Sequence, residues 1–148
     1  MANWILAADS SRARIFEQGA AHESITEIED YANPRGRADN RELVSDAAGR
    51  RFGGKEGSHG HAFATSAEDQ VDHQVELFAK DTCEYLRKAH ASHRYEKLWL
   101  IAPPKFLGLI RQNLAAEVRK AVQKEIPKEI SWFDGKEMQN YLNEQLRN

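Results

Sequence analysis

Cysteine occurs once in the 148 residues, at Cys83. No intrachain disulfide can form, which excludes the disulfide-stapled scaffolds of small secreted chains. No stretch approaches eighteen uninterrupted apolar residues, so no transmembrane helix and no membrane contact are expected. The opening Met1-Ala-Asn-Trp-Ile-Leu-Ala-Ala-Asp9 has no basic n-region, and its apolar run stops at Asp9; the expectation is a cytoplasmic protein without an export signal. Charge of one sign is also lacking. A formal net charge of -2 argues against coating nucleic acid through bulk charge, so such a contact has to come from a local basic patch. Internal repeats and low-complexity tracts are absent as well. What remains, 41% apolar and 30% charged residues, describes one globular domain with a single core, residues 1–148.

Two halves read differently. In the first, Trp4–Ala8 is a short apolar run with the look of a buried strand, and Ala13–Glu17 reads as its partner across the turn-forming Asp9-Ser-Ser11. Ile25–Asp30 alternates imperfectly, with Ile25 and Ile28 three apart, which predicts an edge strand or a bulge. Three strands joined by short turns suggest an antiparallel meander. A long polar connection then runs from Asn33-Pro34 to about Ala64, and loops of that length are commonly functional or disordered.

The second half begins with Thr65-Ser-Ala-Glu68, which fits a capping box. Behind it Val71, Val75, Phe78, Thr82, Tyr85, Leu86 and Ala89 form one helical stripe, predicted to end between His90 and His93. Leu98–Ala102 is apolar without alternation, as in a strand covered on both faces. Pro104 suits the first position of a helix that turns Phe106, Leu107, Ile110 and Leu114 inward. A further helix is predicted from Ala115 to about Glu125, a strand from Glu129 to Phe133, and a last helix capped by Asp134 and Glu137, with Met138, Tyr141, Leu142 and Gln145 on one face. The fold class is α/β, a mixed sheet of about five strands with helices packed on it.

The chemistry concentrates between the halves. Gly49–His61 holds five glycines in thirteen residues beside Arg50, Arg51, Lys55, His59 and His61. Gly49-Arg-Arg-Phe-Gly-Gly-Lys55 nearly fits a phosphate-binding loop. Glu56 stands where that loop needs a magnesium-binding hydroxyl, and no strand-to-helix frame surrounds it, so nucleotide hydrolysis is not expected. His59, His61 and His73 have the donor type for a metal but no spacing that fixes a geometry; neither a metal nor another cofactor is predicted. A metal-dependent nuclease would need carboxylates that converge. Asp9, with Glu27, Glu29 or Asp30, is the set to consider, against the plainer reading that Asp9 makes a turn and the others face water. Cys83 lies beside the helical stripe, where a structural thiol is the usual outcome. The remaining signal is cationic: Arg35, Arg37, Arg41, Arg50, Arg51 and Lys55 in the connection, and Lys105, Arg111, Arg119, Lys120, Lys124 and Lys128 behind it. Such residues could line one surface facing RNA phosphates, although scattered helix-surface lysines are usually a solvated face.

Trp4-Ile-Leu-Ala-Ala-Asp9, Arg12-Ala-Arg-Ile-Phe16, the Gly49-Arg50 loop and above all Leu98-Trp-Leu-Ile-Ala-Pro-Pro-Lys-Phe-Leu-Gly108 resemble the bacterial host attachment family, proteins described as required for attachment to host cells. The likeness covers nearly the whole chain. That family in turn looks like the middle domain of archaeal and eukaryotic class I peptide release factors. The resemblance implies a ribonuclease H-like sheet of strand order 3-2-1-4-5, with the second strand antiparallel. In those factors a Gly-Gly-Gln loop between the third strand and the long helix promotes hydrolysis of peptidyl-tRNA. Gly53-Gly54-Lys55 occupies the corresponding region, with lysine in place of glutamine.

The expectation is therefore a domain that binds RNA or the ribosome, with little or no catalysis, through Arg50, Arg51, Gly53, Gly54, Lys55, Lys105 and Arg111. The ribosome, tRNA or rRNA is the expected partner. The alternatives are a peptidyl-tRNA hydrolase using Gly53-Gly54-Lys55, a nuclease using Asp9, and a protein-interaction module affecting cell attachment. With no export signal expected, an attachment role would act indirectly, through expression of surface components.

Overall fold

The computed structural model describes residues 2–19, 25–34 and 60–147, with the backbone alone over 60–69. Five strands form one sheet: β1 (Asn3–Ala8), β2 (Arg12–Gln18), β3 (Ile25–Ala32), β4 (Lys97–Ala102) and β5 (Val122–Pro127). Their order is β3-β2-β1-β4-β5, the order the resemblance implied. β1–β2 and β2–β3 pair antiparallel, and β1–β4 and β4–β5 pair parallel. Four helices accompany them among the described residues: α1 (Gly60–Ala91), α2 (Pro104–Asn113), α3 (Ala116–Ala121) and α4 (Gly135–Arg147). None is long and apolar enough to cross a membrane.

The sheet has a core on each face because its central strands are apolar at successive positions. Trp4, Leu6 and Ala8 of β1 join Ile15, Leu98 and Leu100 under α1, α2 and α3. Ile5 and Ala7 turn the other way, with Phe16 and Ile101, onto Met138 and Leu142 of α4. Neighbouring residues of a strand point to opposite faces, so the unbroken apolar run Trp4–Ala8 supplies side chains to both cores. Phe78, Cys83, Leu86 and Ala89 bring α1 onto the first face, and Phe106, Leu107 and Ile110 bring α2 beside it. Burial pushes the Cys83 thiol up to about 12, so it stays protonated, as a structural thiol does.

β3 is an edge strand with a bulge, as its uneven spacing predicted. Ile15 faces Glu29 while Phe16 faces Glu27, leaving Ile28 as the extra residue. The bulge changes the parity of the strand. Ile25 packs with the α4 face, whereas Ile28 and Tyr31 pack under α1, and Tyr31 meets Phe78 edge-on.

Three boundaries differ from the expectation. α1 begins at Gly60, not Thr65, so Thr65–Glu68 lies inside the helix and is not its cap. The helix expected to reach Glu125 stops at Ala121, and the fifth strand is Val122–Pro127 in place of Glu129–Phe133. The reason is pairing. Val122, Lys124 and Ile126 are half-buried beside β4, where a register shift between Leu98 and Trp99 puts Val122 on the α1 face and Ile126 on the α4 face, and β-branched side chains favour a sheet over a helix. Residues 130–133 form a turn closed by the Phe133 N–H on the Ile130 carbonyl, 3.0 Å.

Both ends of the helical half follow capping rules. Asp134 and Glu137 exchange side-chain to backbone hydrogen bonds at 2.8 and 2.9 Å, the reciprocal capping box expected for α4. α1 ends in a Schellman arrangement, with Arg94 N–H on Ala89 O and His93 N–H on His90 O, both at 2.9 Å. His93 takes φ 59° there, a conformation that costs a side chain about 1 kcal/mol and glycine almost nothing. His93→Gly is expected to raise the melting temperature by about 1–2 °C, since roughly half a kilocalorie survives the larger unfolded-state entropy of glycine. Thermal denaturation followed by circular dichroism measures it.

Candidate functional site

The C-terminal ends of the parallel strands come together at one edge of the sheet, with Ala7 opposite Ile101 and Ala102 opposite Pro127. Open sheets bind ligands at this end, where loops diverge from the strands. The β1–β2 turn lies there too, and Asn33 ties the exit of β3 to it. Its N–H donates to Ser11 O at 2.8 Å and its Nδ2 to Ser10 O at 3.0 Å. The Gly/Arg connection thus leaves from this end of the sheet.

Between α1, α2 and the β1–β2 turn lies a cleft of about 440 Å³. Its apolar side is Val71, Val75, Phe106 and Leu109; its polar side carries Asp9, Asp72, Glu76, Glu129 and Lys105. Asp9 Oδ1 accepts the N–H groups of Ser11 and Arg12, each at 2.8 Å, so Asp9 makes the turn, the plainer of its two readings. Its second oxygen accepts the Ser131 hydroxyl at 2.7 Å, and Ser131 Oγ also lies 2.8 Å from Glu129 Oε1. A hydroxyl has one proton to give. The two carboxyl groups therefore share one hydroxyl donor, and Glu129 Oε1 also accepts the Ser131 N–H at 3.2 Å. Partial desolvation and the nearby Asp9 push the Glu129 carboxyl above its ordinary range, as expected for paired carboxyls.

The turn that carries Glu129 and Ser131 is held by two arginines of β2. Arg14 is buried, 3% exposed. It donates Nη1 to Ser131 O at 3.0 Å and to Phe133 O, and it grips Glu27 through Nε and Nη2 at 2.8 and 3.0 Å. Arg12 pairs with Asp30 at 2.8 and 2.6 Å and reaches Ser131 O at 3.4 Å. With both neighbouring carbonyls held, Trp132 projects outward, 63% exposed, and meets Phe133 edge-on, 4.8 Å between centroids.

The residues predicted for binding are separated. Arg50, Arg51, Gly53, Gly54 and Lys55 lie outside the described residues, as do His59 and the side chain of His61. Lys105, in the first turn of α2, lines the cleft. Arg111, in the last turn of the same helix, pairs with Glu125 and lies away from it. Arg119 donates to the carbonyls of Arg111 and Leu114 at 2.8 and 3.3 Å; Lys124 sits over Trp99 and Lys128 over Tyr141, at 4.9 and 5.2 Å. Asp9 is not joined by the other predicted carboxylates. Glu27 and Asp30 hold the two arginines, and Glu29 accepts the Tyr85 hydroxyl at 3.1 Å. Among the described residues no group of three or more histidine, cysteine or acidic side chains could hold a metal. Glu129, Ser131 and Trp132 carry no signal of a site in the sequence, where residues 129–133 read as a strand.

A family model described as "Protein required for attachment to host cells" matches residues 4–142. The chain belongs to that family. A comparison with curated proteins found no match. In this host attachment protein the matched region takes in the sheet from Trp4 onward, the Arg14 clamp and the cleft.

Two outcomes follow from the clamp and the carboxyl pair. Arg14→Met is expected to cost about 3 kcal/mol or more, because two carbonyls and a carboxylate lose a buried charged donor. Arg12→Met, at a pair open to solvent, should cost under about 1 kcal/mol. Urea denaturation of the two variants compares them. A carboxyl whose folded pKa is raised stabilises fully below its ordinary value of 4.5 and loses that contribution as pH rises through the folded value. Glu129→Gln should therefore gain on the wild type between pH 4.5 and neutrality, seen as a melting-temperature gap that widens with pH.

Proposed function

We propose that this host attachment protein is a cytoplasmic binding domain that contacts RNA, on the ribosome or in tRNA, through the end of the sheet just described, and that it carries out no hydrolysis there. The observation that supports the reading is where the two described ends of the Gly/Arg connection lie. It leaves from Pro34, beside the pinned Asn33, and returns at Gly60. Val71 of the cleft lies eleven residues into α1, so that helix extends about 16 Å further toward its N-terminus, at 1.5 Å per residue. The segment that holds Arg50, Arg51 and Lys55 joins these two points in sequence, and Lys105, Lys128 and the exposed indole of Trp132 belong to the same end of the sheet.

Cations that track a phosphate backbone, together with an aromatic ring on which a base stacks, form the usual pairing for single-stranded nucleic acid. Asp9, Asp72, Glu76 and Glu129 repel phosphates. The backbone accordingly runs past the cleft rather than into it. Binding is favoured over hydrolysis because Lys55 stands where the resembling release factors carry glutamine, and because Asp9 is already committed to its turn and to Ser131. Attachment to host cells then depends on the protein indirectly, through expression of surface components.

Co-sedimentation with ribosomes across a salt series tests the reading. Association is expected to weaken steeply with salt. The double variant Arg50→Ala, Arg51→Ala should lower the slope of log affinity against log salt by about 1.4–1.8, for two lost phosphate contacts. Absence of association at about 50 mM salt overturns it.

A further inference from the structure

The opposite end of the sheet holds a second cavity, of about 510 Å³, on the α4 face. α4 covers this face only in part. Met138 and Leu142 pack onto Ile5, Ala7 and Ile101, but beyond Leu142 the last turn of the helix and the lower sheet enclose open space. Four carboxamides line it, Asn3, Gln18, Gln123 and Asn143, together with Trp99, Leu146 and Arg147. No acidic side chain lines it among the described residues. Asn3 Nδ2 donates to Gln18 Oε1 at 3.3 Å, and Gln139 Nε2 to Asn143 Oδ1 at 3.5 Å, so carboxamides on both walls are oriented in advance.

We propose that this cavity binds an acidic carbohydrate of the hexuronate type. The argument rests on donor chemistry. Each carboxamide offers both donors and acceptors, which matches a ring of hydroxyls, since every hydroxyl also gives and takes one hydrogen bond. Arg147 supplies a planar fork for a carboxylate, and hydrogen bonds of that kind are the stronger, charge-assisted ones. Lys124 lies 4.9 Å over the Trp99 ring, which adds a second positive charge beside the wall. It also sets the sugar apart from a nucleobase. A base needs a vacant aromatic face on which to stack, and here the ammonium competes for the indole, whereas a pyranose can be held through its hydroxyls alone. A small pocket with a few polar groups that fix orientation is the usual form of such sites. The proposal is independent of RNA binding at the other end.

Saturation-transfer difference NMR and calorimetry on the full chain, with sodium glucuronate, glucose and acetate, test it. Glucuronate should give saturable binding, with glucose about tenfold weaker for want of the charge-assisted contact and acetate without effect. Methyl β-glucuronoside, blocked at C1 as in a glycan, separates a glycan-linked residue from a free sugar acid: retained binding assigns the first, lost binding the second. Arg147→Gln should bring glucuronate down to the level of glucose, and Asn143→Ala should weaken both sugars. Both positions sit in the last two turns of α4, so an unchanged melting temperature shows that the fold is intact. No saturable glucuronate signal from the wild type overturns the proposal, and so does binding that Arg147→Gln and Asn143→Ala leave unchanged.

Discussion

Arg14 places a permanent positive charge inside the molecule, and a charge taken out of water must be met by partners on every side. Those partners come from three parts of the chain. Glu27 belongs to β3, the carbonyls of Ser131 and Phe133 belong to the turn after β5, and Phe16, under the guanidinium at 5.2 Å, belongs to β2 itself. One side chain thus joins the outer strand of the antiparallel half to the loop of the parallel half, across the α4 face of the sheet. The position of Ser131, and through it the approach of Glu129 to Asp9, follows from that demand. So does the outward direction of Trp132, whose neighbours on both sides are tied by their carbonyls.

The two cavities differ in the charge of their walls, which a net charge close to zero does not reveal. At the C-terminal end of the parallel strands an acidic cleft sits among cations carried by loops and helix starts. At the other end the α4 face is lined by neutral amides with an arginine and a lysine beside them.

Much of the fold was legible because burial on two faces leaves an unmistakable trace. Trp4–Ala8 and Leu98–Ala102 are apolar without alternation and could be little else than central strands. Pro104 and Asp134 marked helix starts by chemistry that acts within a few residues, and the uneven spacing of Ile25 and Ile28 announced the bulge. β5 was not legible. Val122-Gln-Lys-Glu-Ile is amphipathic at either a helical or an extended period over so short a span, and only the presence of β4 alongside decides between them. The site suffered the same fate. Asp9 stood out as a carboxyl at a strand end, but its partners Ser131 and Glu129 lie more than a hundred residues away and are brought in by a buried arginine. In the sequence Arg14 looks like any other charged residue of a half-exposed strand.

The bulge at Ile28 has a consequence for assembly. A flat edge strand with free backbone groups is an invitation to pair with another chain, and proteins blunt it with charges, bulges or proline. Both edges of this sheet are blunted. β3 carries Glu27, Glu29 and Asp30 beside its bulge, and β5 closes on Pro127 after Lys124 and Glu125. Neither border offers a straight template for a sixth strand, which directs association between copies toward faces and loops and keeps the sheet from growing sideways into a fibre.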